Sequence, residues 1–221
     1  MKKSIIGGII AFAMALIVPQ ASQAQGIVYL SNLGQPSAGS LVVGSNSWLA
    51  ANFLTGTNAG GYALDSIQLG MSDASGTPSG FKAMLYNFRN TAPIPGQSLG
   101  VLDGSLNPAV GGIYTFTPAT SLTLSPNTFY YIVLTAGTAV ADAAYEWSLA
   151  GANSYNPNGG WSSQGGALQT SSNGSAWSGF APDCPQYAIT ATPIPEPGVL
   201  SLFALGGLSF LWYRRKSTKV I

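Results

Sequence analysis

The run Phe129-Tyr130-Tyr131-Ile132-Val133-Leu134 decides the fold class. It follows the turn residues Ser125-Pro126-Asn127, is short for a helix, and is apolar on both faces, as a central strand of a two-layer β structure reads. Outward from it, Tyr145, Trp147 and Leu149 alternate with Glu146 and Ser148, which predicts a half-buried strand with its polar side to water. Towards the N-terminus, Leu122-Thr123-Leu124, Tyr114-Thr115-Phe116-Thr117, Phe81 to Tyr86 with Phe81, Ala83 and Leu85 on one face, and a segment opening with Tyr62, Leu64, Ile67 and Leu69 read as further strands. Tyr187-Ala188-Ile189-Thr190 closes the set.

Turn signals separate these runs: Ser75-Gly76-Thr77-Pro78, Ile94-Pro95-Gly96, Asp103-Gly104, Asn158-Gly159-Gly160 and Asn173-Gly174. The Ala-rich stretch from Thr138 to Tyr145 is short and reads as a loop, and no longer window carries a capped helical stripe. The expectation is a single all-β domain over residues 25–192, a β-sandwich or jelly roll. An N-terminal signal helix and a C-terminal apolar helix would flank it.

Only 7% of the 221 residues are charged, and the charges are segregated. Lys2 and Lys3 lie at one end and Arg214, Arg215, Lys216 and Lys219 at the other. Between them Lys82 and Arg89 face Asp65, Asp73, Asp103, Asp142, Glu146 and Asp183, two bases against six acids, a net charge of −4 for residues 25–192. Nucleic-acid binding needs clustered Lys and Arg, so that partner class is set aside.

Residues 1–24 read as a signal peptide. Lys2-Lys3 precede an uncharged run from Ile5 to Val18, and Ser22-Gln23-Ala24 supplies small residues where signal peptidase cuts. Fourteen apolar residues are short for a helix that must cross about 30 Å of hydrocarbon. At the other end, residues 193–221 run through alternating prolines, Pro193-Ile194-Pro195-Glu196-Pro197, an uncharged stretch from 199 to 213, and the basic cluster Arg214-Arg215-Lys216. The prolines forbid helix and keep that segment extended. The apolar stretch spans about 22 Å as a helix, enough to hold a chain in a bilayer briefly or with tilt, and the basic residues keep its far end cytoplasmic.

In these residues the chain resembles bacterial proteins with a PEP-CTERM sorting signal, whose hallmark is Pro-Glu-Pro, an apolar segment and a terminal basic cluster. The resemblance implies that Pro195, Glu196, Pro197, Arg214, Arg215 and Lys216 form a signal on which exosortase, an integral-membrane cysteine protease, acts. It implies transient anchoring in the inner membrane of a Gram-negative bacterium that makes exopolysaccharide, then transfer to the cell surface or beyond. The motif residues would be substrate, not catalyst. A second resemblance covers roughly residues 27–190. Asn52-Phe53-Leu54-Thr55-Gly56, Leu85-Tyr86 before Pro95-Gly96, Tyr114 to Pro118, Leu122 to Leu134 and Gly160-Trp161 look like the choice-of-anchor R domain, for which no catalytic residues can be carried over.

Chemistry is sparse. There is no His, so the usual triads and most metal sites have no starting point, and no cofactor or metal is expected. The lone Cys184 reads either as a small buried hydrophobe or, in an oxidising exterior, as a thiol open to a second chain. Two of the six acids could in principle serve a glycosidase, yet none stands where spacing forces a pair, and solvated surface acids explain them better. The rings are more suggestive. Trp161 and Trp177 lie in Gly/Ser/Asn-rich stretches that read as loops and are the candidate sugar-stacking residues, whereas Trp147 and Tyr131 read as core. The expectation is a non-enzymatic exported matrix protein in contact with exopolysaccharide, with a carbohydrate-binding module as the alternative and a glycoside-active enzyme behind both.

Overall fold

The computed structural model describes residues 26–89, 92–151, 155–163, 168–180 and 184–196. The predicted signal helix at 1–24 and apolar segment at 199–213 lie outside the described residues. Among the described residues there is no helix long and apolar enough to cross a membrane. Strands β1 (Ile27–Ser31), β2 (Ser37–Val43), β3 (Trp48–Leu54), β4 (Tyr62–Ser75) and β5 (Lys82–Phe88) come first. They are followed by β6 (Pro95–Asp103), β7 (Gly112–Pro118), β8 (Thr123–Leu124), β9 (Phe129–Thr135) and β10 (Ala144–Ala150). The short β11 (Asn156–Pro157), β12 (Leu168–Ser171), β13 (Ser178–Phe180) and β14 (Cys184–Pro185) precede the closing β15 (Tyr187–Pro193).

The all-β expectation holds. Hydrogen bonds trace one continuous path, β11-β1-β15-β4-β7-β6-β5-β9-β3-β12-β13, with β2, β8, β10 and β14 attached beside it. All pairings are antiparallel. The bond between its two arms is slight: β6 meets β7 only at Leu102 and Asp103, opposite Pro118 and Thr117. One core is shared by both arms, with Leu49, Ala51 and Phe53 of β3 and Ile132 and Leu134 of β9 on one side and Leu64, Ile67 and Leu69 of β4 and Tyr187 and Ile189 of β15 on the other. The sheet therefore curls around its core.

The predicted run 129–134 is a central strand of its arm, held between β3 and β5. Its inward residues Tyr130, Ile132 and Leu134 join the shared core, while Tyr131 and Val133 are fully buried on the opposite face. β10 differs from expectation. Its polar residues are not turned to free water: Ser148 is 4% exposed and meets the Ser72 hydroxyl at 2.7 Å, and Glu146 accepts a 2.6 Å hydrogen bond from Ser40. The strand lies between β2 and β4, so both of its edges are paired and neighbouring side chains close over its polar side.

Candidate functional site

Two places carry candidate functional residues. At the first, β15 ends and the proline-rich tail begins. Tyr187–Pro193 pairs with β4 along its whole length, down to Pro193 opposite Tyr62. One residue further on, the Ile194 amide donates to the Gly61 carbonyl at 3.0 Å, and its carbonyl accepts from the Asn58 side-chain amide at 3.0 Å. Pro195 and Glu196 are exposed. Pro197, Arg214, Arg215 and Lys216 lie outside the described residues. The fold thus delivers the Pro-Glu part of the motif to solvent directly after the last hydrogen-bonded residue.

The second place is the face of the β5-β9-β3-β12 arm turned away from the shared core. Alternation along a strand sends successive side chains to opposite faces, and residues directly opposite across an antiparallel pair share one. Asn52, Tyr131 and Tyr86 therefore form one row across β3, β9 and β5, and Gln169, Ala50, Val133 and Met84 form the next. Ala50, Met84, Tyr131 and Val133 make a small second cluster, walled by the half-buried rings of Trp48, Tyr86, Phe88 and Trp177. Trp177 also lines two open grooves. One, of about 510 Å³, runs past Phe88, Arg89 and Gln97, and the other, of about 480 Å³, past Asn46, Ser47 and Thr170. Neither groove has a carboxylate in its wall.

Three polar side-chain atoms on this face, Asn52 Oδ1, the Tyr131 hydroxyl and Gln169 Oε1, are buried without a hydrogen bond of good geometry, Tyr131 having only a weak interaction with Asn52. Their residues are 4%, 0% and 7% exposed. Burial also pushes the Tyr131 hydroxyl above its ordinary pKa.

The second sugar-stacking candidate is corrected. Trp161 is 1% exposed and stacks on Tyr29 at 4.9 Å and on Phe53 at 5.7 Å, with Tyr62 edge-on at 5.0 Å. Its loop dips inward because the backbone of Leu54 and Ser162 exchanges two hydrogen bonds, which pins Trp161 over the seam between β1 and β3. A ring enclosed on both faces offers none to a ligand. Trp177 is half-buried and keeps its surface position.

The remaining candidates are dispersed. Asp65 accepts from the Thr192 hydroxyl at 2.9 Å and Asp73 from the Gly111 amide at 2.8 Å, some eight residues apart on β4, or about 26 Å along a strand. Asp103 and Asp142 are exposed, Glu146 is tied to Ser40, and Asp183 lies outside the described residues. None of the four main grooves is lined by two carboxylates, and among the described residues no cluster of three metal-ligating side chains forms. Cys184 is 2% exposed, on β14 where it pairs with β10.

Asn58, Tyr86 and Phe88 were not legible as site residues. The last two had a signal, since Met84, Tyr86 and Phe88 give β5 a second apolar face opposite Ala83 and Leu85. Asn58 had none, because its partner lies 136 positions away.

No curated protein and no solved structure matches this chain. A family model does match at the tail, over residues 193–216, and it describes the PEP-CTERM protein-sorting motif. The match begins at the last residue of β15, where the hydrogen-bonded domain gives way to exposed chain. The chain thus carries the C-terminal signal of an exported, exosortase-processed protein.

Proposed function

We propose that this is an exported surface or extracellular-matrix protein, built as a sandwich-like β domain with a structural role in an exopolysaccharide matrix. Signal peptidase would remove residues 1–24 and exosortase the tail. The observation that carries this is the sorting motif starting at the residue where β15 ends, with Pro195 and Glu196 exposed. An epitope inserted at the exposed Asp142 and cell fractionation test it. Wild-type protein should lose the tail and leave the inner membrane. Replacing Pro195, Glu196 and Pro197 together by Ala should leave a full-length, membrane-bound product, and unchanged processing would overturn the assignment.

A second reading, carbohydrate binding by the domain, is favoured by the aromatic face around Trp177 and by grooves walled with neutral polar side chains. Binding of this kind rests on stacking and uncharged hydrogen bonds and should depend little on salt. Trp177→Ala should abolish retardation in polysaccharide affinity gels.

A further inference from the structure

The turn joining β12 to β13 folds back over the outer face of its arm. Gly174 sits at φ 74°, and a Cβ there would lie 2.7 Å from the Trp48 ring, so only glycine lets the chain settle on that indole. Trp177 then lands against Ala50, Met84, Tyr131 and Val133. Among the described residues, the turn's own hydrogen bonds stay within it: Asn173 Oδ1 accepts from the amides of Ser175 and Ala176, and Ser171 Oγ from those of Asn173 and Gly174. The turn is thus internally tied but rests on the sheet through rings alone.

On the face it overlies, two amide oxygens and one phenol make no hydrogen bond of good geometry, the phenol having only Asn52, opposite it on β3, as a weak polar neighbour. Burying a polar atom without a well-formed hydrogen bond is unfavourable, so the arrangement gains whenever a better partner is supplied. The chemistry of that partner is narrow. Amide oxygens only accept, so the ligand must bring donors, and it must also present an apolar face to Trp48, Tyr86 and Trp177. No carboxylate lines the adjoining grooves to call for a cation.

We infer that the face beneath the Ser172–Trp177 turn is a binding site for a neutral saccharide: hydroxyls to Asn52 Oδ1, Gln169 Oε1 and the Tyr131 phenol, a sugar face on the rings, and the turn as the lid that admits it. This rests on the carbohydrate reading above and adds its location, ligand class and polar contacts. The full chain in detergent is titrated with cellohexaose, laminarihexaose and maltohexaose, followed by tryptophan fluorescence and calorimetry, as wild type, Tyr131→Phe, Gln169→Met and Trp177→Ala, with thermal unfolding of each.

Tyr131→Phe removes one hydroxyl and keeps the ring. It should weaken binding of the preferred hexaose about tenfold, one hydrogen bond's worth, while leaving the unfolding temperature equal or higher, because a poorly bonded buried hydroxyl has gone. Gln169→Met should behave alike. Binding lost in Trp177→Ala yet unchanged in Tyr131→Phe and Gln169→Met would overturn this site and leave the carbohydrate reading standing. Binding to none of the three by the wild type would overturn both.

Discussion

Trp161 and Trp177 have similar sequence surroundings and opposite fates, and the difference is made by backbone partners far away in the chain. Leu54 takes Ser162 into a two-bond bridge and draws Trp161 inward, whereas Asn173 and Ser171 close a self-contained turn that leaves Trp177 on the surface. Trp161→Ala should therefore cost about 3–5 kcal/mol in denaturant unfolding, as large-to-small changes in a packed core do, and change any ligand affinity only through folding. Gly-rich flanks identify a loop, but they say nothing about which way its ring points. Tyrosines supply the titration behaviour. Burial raises the pKa of Tyr29, Tyr131, Tyr145, Tyr155 and Tyr187 above 10.0, most firmly for Tyr187, whose hydroxyl donates to the Asn52 carbonyl at 2.7 Å. Above pH 10 the unfolded chain gives up phenolic protons that the folded chain keeps, so the folded state binds more protons and stability falls as pH rises. That contribution is complete below pH 10 and is lost above it. A melting temperature that declines above pH 10, with tyrosinate absorbance appearing together with unfolding, is the expected result, and Tyr187→Phe should make the decline shallower.

Among the elements, those with two apolar faces or clean alternation were legible: β4, β5, β7, β9, β10 and β15 all stand where their sequences place them. Legibility failed where strands lie at the surface. β6 is mostly exposed and contains Gly96 and Gly100, so the Pro95-Gly96 pair reads as a turn, yet Pro95 opens the strand, a position where a missing amide donor does no harm. β2 has three exposed residues at its start and is a strand because β10 pairs with it, from Tyr145 opposite Val43 to Ala150 opposite Ser37. The turn at Pro126-Asn127 was legible for a local reason, since Asn127 adopts φ 48°. The junction of β15 with the tail is clamped by one side chain beside the Ile194–Gly61 backbone bond. Asn58 Nδ2 donates to both the Gly61 and Ile194 carbonyls. Asn58→Ala removes two hydrogen bonds worth about 1 kcal/mol each and should act locally. Hydrogen exchange at Ile194 should accelerate while amides of Ala188 and Ile189, held between β1 and β4, keep their protection. Equal acceleration along the whole of β15 would show that the strand is not anchored independently of this clamp.

At the scale of the whole molecule the domain is polar in the geometric sense. The tail leaves beside Tyr62, at the start of β4, where Thr123 of β8 lies opposite Ala63. The other end of β4 meets the β6–β7 loop, through the Ala74 amide on the Ala109 carbonyl and Gly111 on Asp73. The nine residue-to-residue steps of strand from Tyr62 to Met71 already span about 30 Å. That far end carries Leu106, Val110 and Ile113, which are 76%, 69% and 58% exposed, an apolar tip pointing away from the sorting segment. In the proposed state with the tail held at a membrane, this tip would face outward. Because Cys184 is buried, a single introduced cysteine is the selectively labelled one. A fluorophore on Thr123→Cys should be quenched by headgroup-labelled lipids when the full chain is reconstituted in vesicles, and the same fluorophore on Leu106→Cys should not. Quenching at Leu106 as strong as at Thr123 would mean that the domain lies down on the bilayer through its apolar tip, which would turn that tip from an outward surface into a second membrane contact.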